Sequence, residues 1–275
     1  MNPTQKLWII SALLLTLFLV SAGVTSANAD TSLIALGDIG CKDNAKKNLN
    51  NIAASGIPML GAGDYRYGCS VSSITPLWNA IAVKHGPYGN HDVESSTSKT
   101  FTKTVMGLGA KGWFSWRIAD LAIIGINQYS SYKQGSEQYN YIQSKTTQFC
   151  GRSDISWVIY AMHQPFQTPS FGGGHGPDKA TRDTIGPIIK QCQDKQENVL
   201  VLEGHNHGVA FGNVDGLNHA ICGGGGQAGD TLGGLNGFEY GSIKSGYCKF
   251  SFGETTATVQ HVDKDNKVLK TFPFY

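Results

Sequence analysis

The sequence predicts one α/β domain of parallel strand–helix units that ends in an antiparallel β region. Three observations carry this. Short apolar runs that stop at a Gly and a polar side chain alternate with stretches of helical periodicity, the pattern of parallel units. The end of the chain gives up the helices for closely spaced strand-like runs. The composition, 40% hydrophobic with five Trp, is too apolar for a disordered chain and demands a packed core.

Taken in order, residues 33–36 form a strand stopping at Gly37-Asp38, and residues 42–55 follow as a helix. A second strand, 58–62, stops at Gly63-Asp64, and residues 74–84 are helix-like. Residues 83–88 make a poor strand before Gly89-Asn90-His91, so a short or displaced one is expected there. Residues 113–117 and 121–126 read as neighbouring strands, 137–149 as a helix, 157–162 as a buried strand and 182–193 as a helix. Residues 199–202 are a strand that runs into Glu203-Gly204-His205. Residues 246–252, 256–262 and 268–272 read as antiparallel strands, with Asp263-Lys264-Asp265-Asn266 as a hairpin turn.

Charge excludes several functions. Lys and Arg number 22 against 20 Asp and Glu, a formal charge of +2, and charged residues are only 15% of the chain. That balance gives no electrostatic basis for binding nucleic acid or a membrane surface. Gly is abundant, 35 of 275 residues, but lacks the three-residue period of collagen.

The first 29 residues read as a secretory signal: Lys6, an apolar run over 7–20, and Ala27-Asn28-Ala29 before Asp30. The run falls short of the about 20 residues that a membrane span needs. Cleavage after Ala29 is therefore expected, leaving residues 30–275 as one secreted or periplasmic domain with no membrane attachment. Cys41, Cys69, Cys150, Cys192, Cys222 and Cys248 all fall in that part. An even count in an exported chain points to disulfides, and spacing leaves the pairing open.

Three strands end at Gly followed by a metal-capable side chain: Asp38, Asp64 and His205. Ligands of open α/β sheets sit beyond the carboxyl ends of strands. Asn90 and His91, and His163 after the strand 157–162, are placed to join them. The five blocks are Gly37-Asp38-Ile39-Gly40, Gly63-Asp64-Tyr65-Arg66-Tyr67, Gly89-Asn90-His91-Asp92, Tyr160-Ala161-Met162-His163 and Gly204-His205-Asn206-His207. In this order they resemble the calcineurin-like metallophosphoesterase superfamily, and within it the short, single-domain purple acid phosphatases. Trp113-Phe114-Ser115-Trp116 and Ala220-Ile221-Cys222 before Gly223 to Gly226 add to the likeness. Gly40 stands where most of the superfamily has a His, and Tyr67 lies three residues after Asp64, as in the purple acid phosphatases.

The resemblance implies two mixed β-sheets packed as a sandwich flanked by helices, with a metal site at the strand carboxyl ends. It implies two metal ions bridged by Asp64. Asp38, Tyr67 and His207 would complete one site, where phenolate favours Fe(III), and Asn90, His163 and His205 the other, holding Fe(II), Zn or Mn. Carboxylate, imidazole, amide and phenolate donors suit such ions, whereas oxygen-only sets suit Ca or Mg. The implied reaction is hydrolysis of small phosphomonoesters by hydroxide generated at the metals. A phosphodiesterase or nucleotidase would use the same site, and a non-catalytic secreted binding protein is the reading from another class. His91 would face substrate with Asp92 orienting it, and His175, in the glycine-rich loop 171–177, would supply the leaving group's proton. Lys84 and Arg66 are candidates for anion recognition by position alone. His85, His219 and His261 match no block and are expected to be structural or solvated. The motifs holding Cys41 and Cys69 should lie side by side, which pairs those two.

Two other patterns lack their context. Gly107-Leu108-Gly109-Ala110-Lys111-Gly112 has the spacing of a dinucleotide loop, but no apolar strand precedes it. Asp263-Lys264-Asp265 starts like a calcium loop yet lacks its Gly and terminal Glu.

Overall fold

The computed structural model describes residues 30–196, 198–227 and 230–275, so the expected leader lies outside the described residues. In chain order the first half holds β1 (Thr31–Leu36), α1 (Asp43–Ser55), β2 (Met59–Gly61), α2 (Val71–Asn79), β3 (Lys84–His85), α3 (Asn90–Val93), α4 (Ser96–Val105), β4 (Phe114–Ile118), β5 (Leu121–Gly125) and α5 (Glu137–Phe149). There follow β6 (Trp157–Ala161), α6 (Lys179–Gln193), β7 (Val199–Glu203), β8 (Val209–Val214), β9 (Leu217–Cys222), β10 (Tyr240–Ser242), β11 (Gly246–Phe252), β12 (Ala257–Asp263) and β13 (Val268–Phe274).

They build two mixed sheets. One has the order β13-β12-β11-β1-β2-β3 and the other β10-β8-β9-β7-β6-β5-β4. Strands β1, β2 and β3 run parallel, as do β5, β6, β7 and β9, while β11 pairs antiparallel with β1. The period of two along each central strand divides its side chains between two cores. Leu121, Ile123, Trp157, Ile159, Leu200 and Leu202 pack between the sheets with Leu33 and Phe250. Ala122, Ile124, Val158, Tyr160, Val199 and Val201 pack against Ile142, Ile185 and Ile189 of α5 and α6. Helices α1 and α2 cover the outer face of the first sheet with Leu49, Ile52, Ile74 and Trp78. This is the expected sandwich flanked by helices.

Several elements differ from expectation. Helix α2 spans Val71 to Asn79, starting earlier than expected because the Ser70 hydroxyl accepts from Ser73 N–H and caps its N-terminus. Lys84, expected at that helix's end, belongs to β3, which is indeed short at two residues. Helices α3 and α4 and strands β8, β9 and β10 were not expected.

Three disulfides staple the fold. Cys41–Cys69 is the pair expected. Cys150–Cys192 ties the end of α5 to α6, and Cys222–Cys248 joins β9 of one sheet to β11 of the other.

Candidate metal centre

The loops after β1, β2, β3, β6 and β7 meet at one edge of the sandwich and are hydrogen-bonded to one another. Asp38 N–H donates to Gly63 O at 3.0 Å, Ile39 N–H to Asp64 O at 2.8 Å, and Gly204 N–H to His163 O at 2.9 Å. Asp38, Asp64 and His205 all take left-handed backbone angles, with φ of 57°, 56° and 67°. Each follows the Gly that ends its strand, so the chain reverses there and its side chain turns in over the strand ends.

All seven expected ligands come together, in two adjoining groups. One surrounds His163 Nε2, with Asn90 Oδ1 at 3.0 Å, His205 Nδ1 at 3.2 Å and Asp64 Oδ2 at 3.3 Å. The second surrounds His207 Nε2, with the Tyr67 hydroxyl at 2.9 Å and Asp38 Oδ1 at 3.7 Å. Backbone and side-chain contacts fix the individual donors. His163 Nδ1 donates to Ala62 O at 2.7 Å, which leaves Nε2 facing the cluster. Asp38 Oδ2 accepts from His205 N–H, and Asp64 Oδ1 from His91 N–H.

The donors fit a pair of cations. Asp38 Oδ1 and Asp64 Oδ2 are buried and accept no hydrogen bond, facing only the imidazoles of His207 at 3.7 Å and His163 at 3.3 Å, a costly state for two neighbouring carboxylates that cations would relieve. Burial raises Asp38 well above the ordinary carboxylate range, against the pull of His163. Burial also opposes charge on His163, yet Asp64 and Asp38 beside it lift its imidazole to about 9. Burial, with His163 and His175 alongside, holds His205 down to about 3, so it is a neutral donor. Burial and the carboxylates of Asp38 and Asp64 push the Tyr67 phenol up, so ionising it as a ligand requires a strong local positive charge.

The residues expected to act on substrate are placed less simply. His91 lies with its ring 4.2 Å from that of Tyr67. Asp92 does not orient it: the Asp92 side chain is buried and accepts from the N–H groups of Asp64, Tyr65 and Gly89 and from the Thr102 hydroxyl. It clamps the second and third loops together. The carboxylate against His91 Nδ1 is Glu94, at 2.9 Å, which caps the C-terminal end of α3 one turn further on. His175 is brought to the site, its ring 4.5 Å from His207 and 4.7 Å from His205. Its Nδ1 lies 3.0 Å from Asp230, a residue not anticipated.

Both candidate cations are engaged by neutral groups of the protein. Lys84 Nζ donates to Ile81 O at 2.8 Å, and Arg66 donates to the Cys69 carbonyl and the Ser98 hydroxyl. His85 stacks on Phe114, while His219 pairs with Glu203 and His261 with the Tyr240 hydroxyl, all structural roles. Gln128 was also missed: its Oε1 accepts from the N–H groups of His163 and Gln164 at 2.9 and 2.7 Å and so sets the loop after β6. Glu94 could have been found by its helical spacing from His91. Asp230 and Gln128 have no local signal, because chain topology alone brings them here.

No protein-family model matches the chain, and a search of curated proteins found no match. Solved structures do match in shape. A purple acid phosphatase from yellow lupin (Lupinus luteus) seeds superposes with a TM-score of 0.74 at 16% identity, over 88% of this chain and 53% of that one. GAP50, described as the anchor in the inner membrane complex of Plasmodium, gives 0.67 at 15% identity, over 89% of this chain and 88% of its own. PhoD gives 0.63 at 12% identity, over 90% and 70%. The chain thus spans about half the length of the lupin protein. Across these similarities the shared feature is the fold: two mixed sheets flanked by helices, as in the metallophosphoesterases.

Proposed function

We propose that this chain is an exported hydrolase of small phosphate monoesters that works with two transition-metal ions. The observation that carries the reading is the convergence of seven donors in two groups, with unpartnered carboxylate oxygens of Asp38 and Asp64 buried between them. Asp38, Tyr67 and His207 would hold an Fe(III) ion, Asn90, His163 and His205 a divalent one, and Asp64 would serve both. When bound, two such ions neutralise phosphate oxygens and lower the pKa of water towards ~7. The protein's own side chains supply position and protons. His91, held by Glu94 and packed against the Tyr67 ring, orients the phosphoryl group, and His175 holds the proton that a leaving alkoxide requires.

Export is part of the reading. Three disulfides suit an oxidising compartment. Among the described residues no helix is long and apolar enough to cross a membrane.

Metal analysis of the purified protein with its visible spectrum, followed by hydrolysis of mono- and diester substrates, tests the proposal. An iron-containing protein with a visible absorption band that Tyr67→Phe removes, and a preference for monoesters, is expected. A colourless protein with a full metal complement removes the iron assignment, and a preference for diesters moves the activity to phosphodiesters. The second reading, a binding protein without catalysis, draws on the description of GAP50 as an anchor. Stoichiometric metal without turnover on any ester would favour it.

A further inference from the structure

One carboxylate serves two histidines of the site. The Asp230 side chain is 1% exposed, and its Oδ1 and Oδ2 lie 3.0 and 3.2 Å from His175 Nδ1. The same Oδ1 is 3.4 Å from His207 Nδ1, and Oδ2 accepts from the His207 backbone N–H at 2.8 Å. His207 turns its other nitrogen, Nε2, towards Tyr67 and Asp38. A buried carboxylate is costly unless donors surround it; His175 Nδ1 and the His207 backbone N–H provide them, and His207 Nδ1, buried with no hydrogen bond of its own, faces the same carboxylate.

The surrounding loops are built to keep this contact. The loop bearing His175 and the segment bearing Asp230 are joined by a bridge between Phe171 and Leu232. Gly172 N–H donates to Thr231 O, Gly233 N–H to Ser170 O and Ser170 N–H to Gly234 O, at 2.7, 2.7 and 2.8 Å. Gly173 has φ of 85°, and a Cβ there would fall 2.6 Å from Asp230 Oδ1. Only glycine lets the loop close on the carboxylate.

We infer that Asp230 is a positioning residue that fixes both imidazoles at once. It holds His207 by the backbone N–H and sets its charge behind Nδ1, so that Nε2 is turned to the ligand group, the usual part of a carboxylate behind a metal-binding histidine. It holds His175 through Nδ1–H, so that Nε2 is the nitrogen presented to the leaving oxygen. The inference rests on the phosphoester reading. In that reaction water adds its oxygen to phosphorus as the ester P–O bond breaks. The leaving oxygen keeps the electron pair and takes the proton from His175 Nε2, and the proton shed by water restores the imidazolium.

Paired substrates separate positioning from a general structural role. Nitrophenyl phosphate has a leaving group that needs no proton, whereas the alkoxide of glycerol phosphate does. Asp230→Asn is expected to lose about 10²-fold in kcat on glycerol phosphate and less than about tenfold on the nitrophenyl ester. Adding His175→Ala to Asp230→Asn should cost little more on glycerol phosphate. Gly173→Ala, which pushes the loop off the carboxylate while keeping both side chains, should show the same substrate-selective loss. Apart from activity, Asp230→Asn should weaken zinc binding by about 10–100-fold in competition with a chelator. Proton–nitrogen NMR of the metal-free protein at alkaline pH should find the His175 proton on Nδ1. Equal losses on both esters, unchanged zinc affinity or a proton on Nε2 overturns the inference. A wild-type protein that hydrolyses neither ester sinks the phosphatase reading instead, and the zinc and NMR results then decide the role of Asp230.

Discussion

Replacing Gly89 by Ala tests how tightly the candidate centre is built. Gly89 ends the third loop, directly before Asn90 and His91, and its α-carbon rests against Asp64. A Cβ built there would lie 2.1 Å from Asp64 Oδ1 and 2.5 Å from Asp64 N. Real Cβ atoms do not approach closer than 3.0 Å, so the two loops must part by about 1 Å. Asp64 cannot yield freely, because its N–H and that of Gly89 are both held by Asp92 Oδ2 at 2.8 Å. Overpacking of this kind costs about 1–3 kcal/mol, roughly 2–12 °C in Tm for a domain of this size. Function should suffer more than stability. A displacement near 1 Å at a reacting centre costs about 10²-fold in rate, and Asp64 is the ligand expected to serve both metals. The assay pairs thermal unfolding with metal content and hydrolysis of nitrophenyl phosphate, using Gly109→Ala as control because no atom lies within 4 Å of its added Cβ. A Gly89→Ala protein with wild-type metal content and turnover would refute the packing argument and the place of Asp64 at the centre.

His91→Ala should lower turnover by about 10²–10³-fold while metal content stays within about twofold, and Glu94→Gln should lower it less. Equal loss of metal and turnover would make His91 a ligand or a fold residue. Replacing Cys222 and Cys248 by Ala removes a cross-link that closes a loop of 26 residues, worth about 3.5 kcal/mol by chain entropy or roughly 7–14 °C in Tm; a loss below about 1 kcal/mol in urea unfolding would count against that bridge. Acid should weaken the fold partly through His261. Burial holds it down to about 4, with Lys244 and Asp263 nearby, so the unfolded chain takes the proton first as pH falls below about 6.5. That stability is present above pH ~6.5, declines towards pH ~4 and is then fully lost, up to about 3 kcal/mol. Unfolding of His261→Gln followed across this range should lack that part of the slope, and an unchanged slope contradicts the assignment.

How far the fold can be read from the chain depends on where each element gets its stability. Helix α5 is legible at both ends because its signals are local: Ser136 caps it, and Ile142, Thr146 and Phe149 share its buried face. Helix α4 has Ser, Thr and Lys at eight of its ten positions, and only Phe101 and Val105 are apolar on its buried face. Ser95 caps it locally, but Thr102 donating to Asp92 is a contact that exists only once the third loop has folded. Strands β8 and β9 are hidden for a related reason. Gly212 interrupts the first, and β9 inserts between β8 and β7, a place that no local period specifies. The same division runs through the site. The Gly-Asp and Gly-His pairs are visible because the turn and the metal-capable side chain are neighbours in sequence. The orienting role that the resemblance implies for Asp92 falls instead to Glu94. On a helix the next residue points elsewhere and the third one on comes round beneath it.

Those Gly-Asp and Gly-His pairs also carry a cost that argues for what they do. Of the seven described non-glycine residues at positive φ, Asp38, Asp64 and His205 are the three at the candidate centre. Each forgoes about 1–3 kcal/mol of backbone comfort that glycine would have kept. A chain selected only for stability has no reason to place three such residues at three strand ends, two of them with buried carboxylates. The strain is held by the centre's own contacts: His205 N–H on Asp38 Oδ2, Asp38 N–H on Gly63 O, and Asp64 N–H on Asp92. Reversal in the left-handed region is what turns a carboxylate or an imidazole from the strand end back over the sheet edge. Glycine would make the turn and leave nothing there to bind with. Three strained residues with metal-capable side chains, which brace one another across two sheets and are each preceded by glycine, favour a site kept for binding cations over a set of turns that happens to be polar.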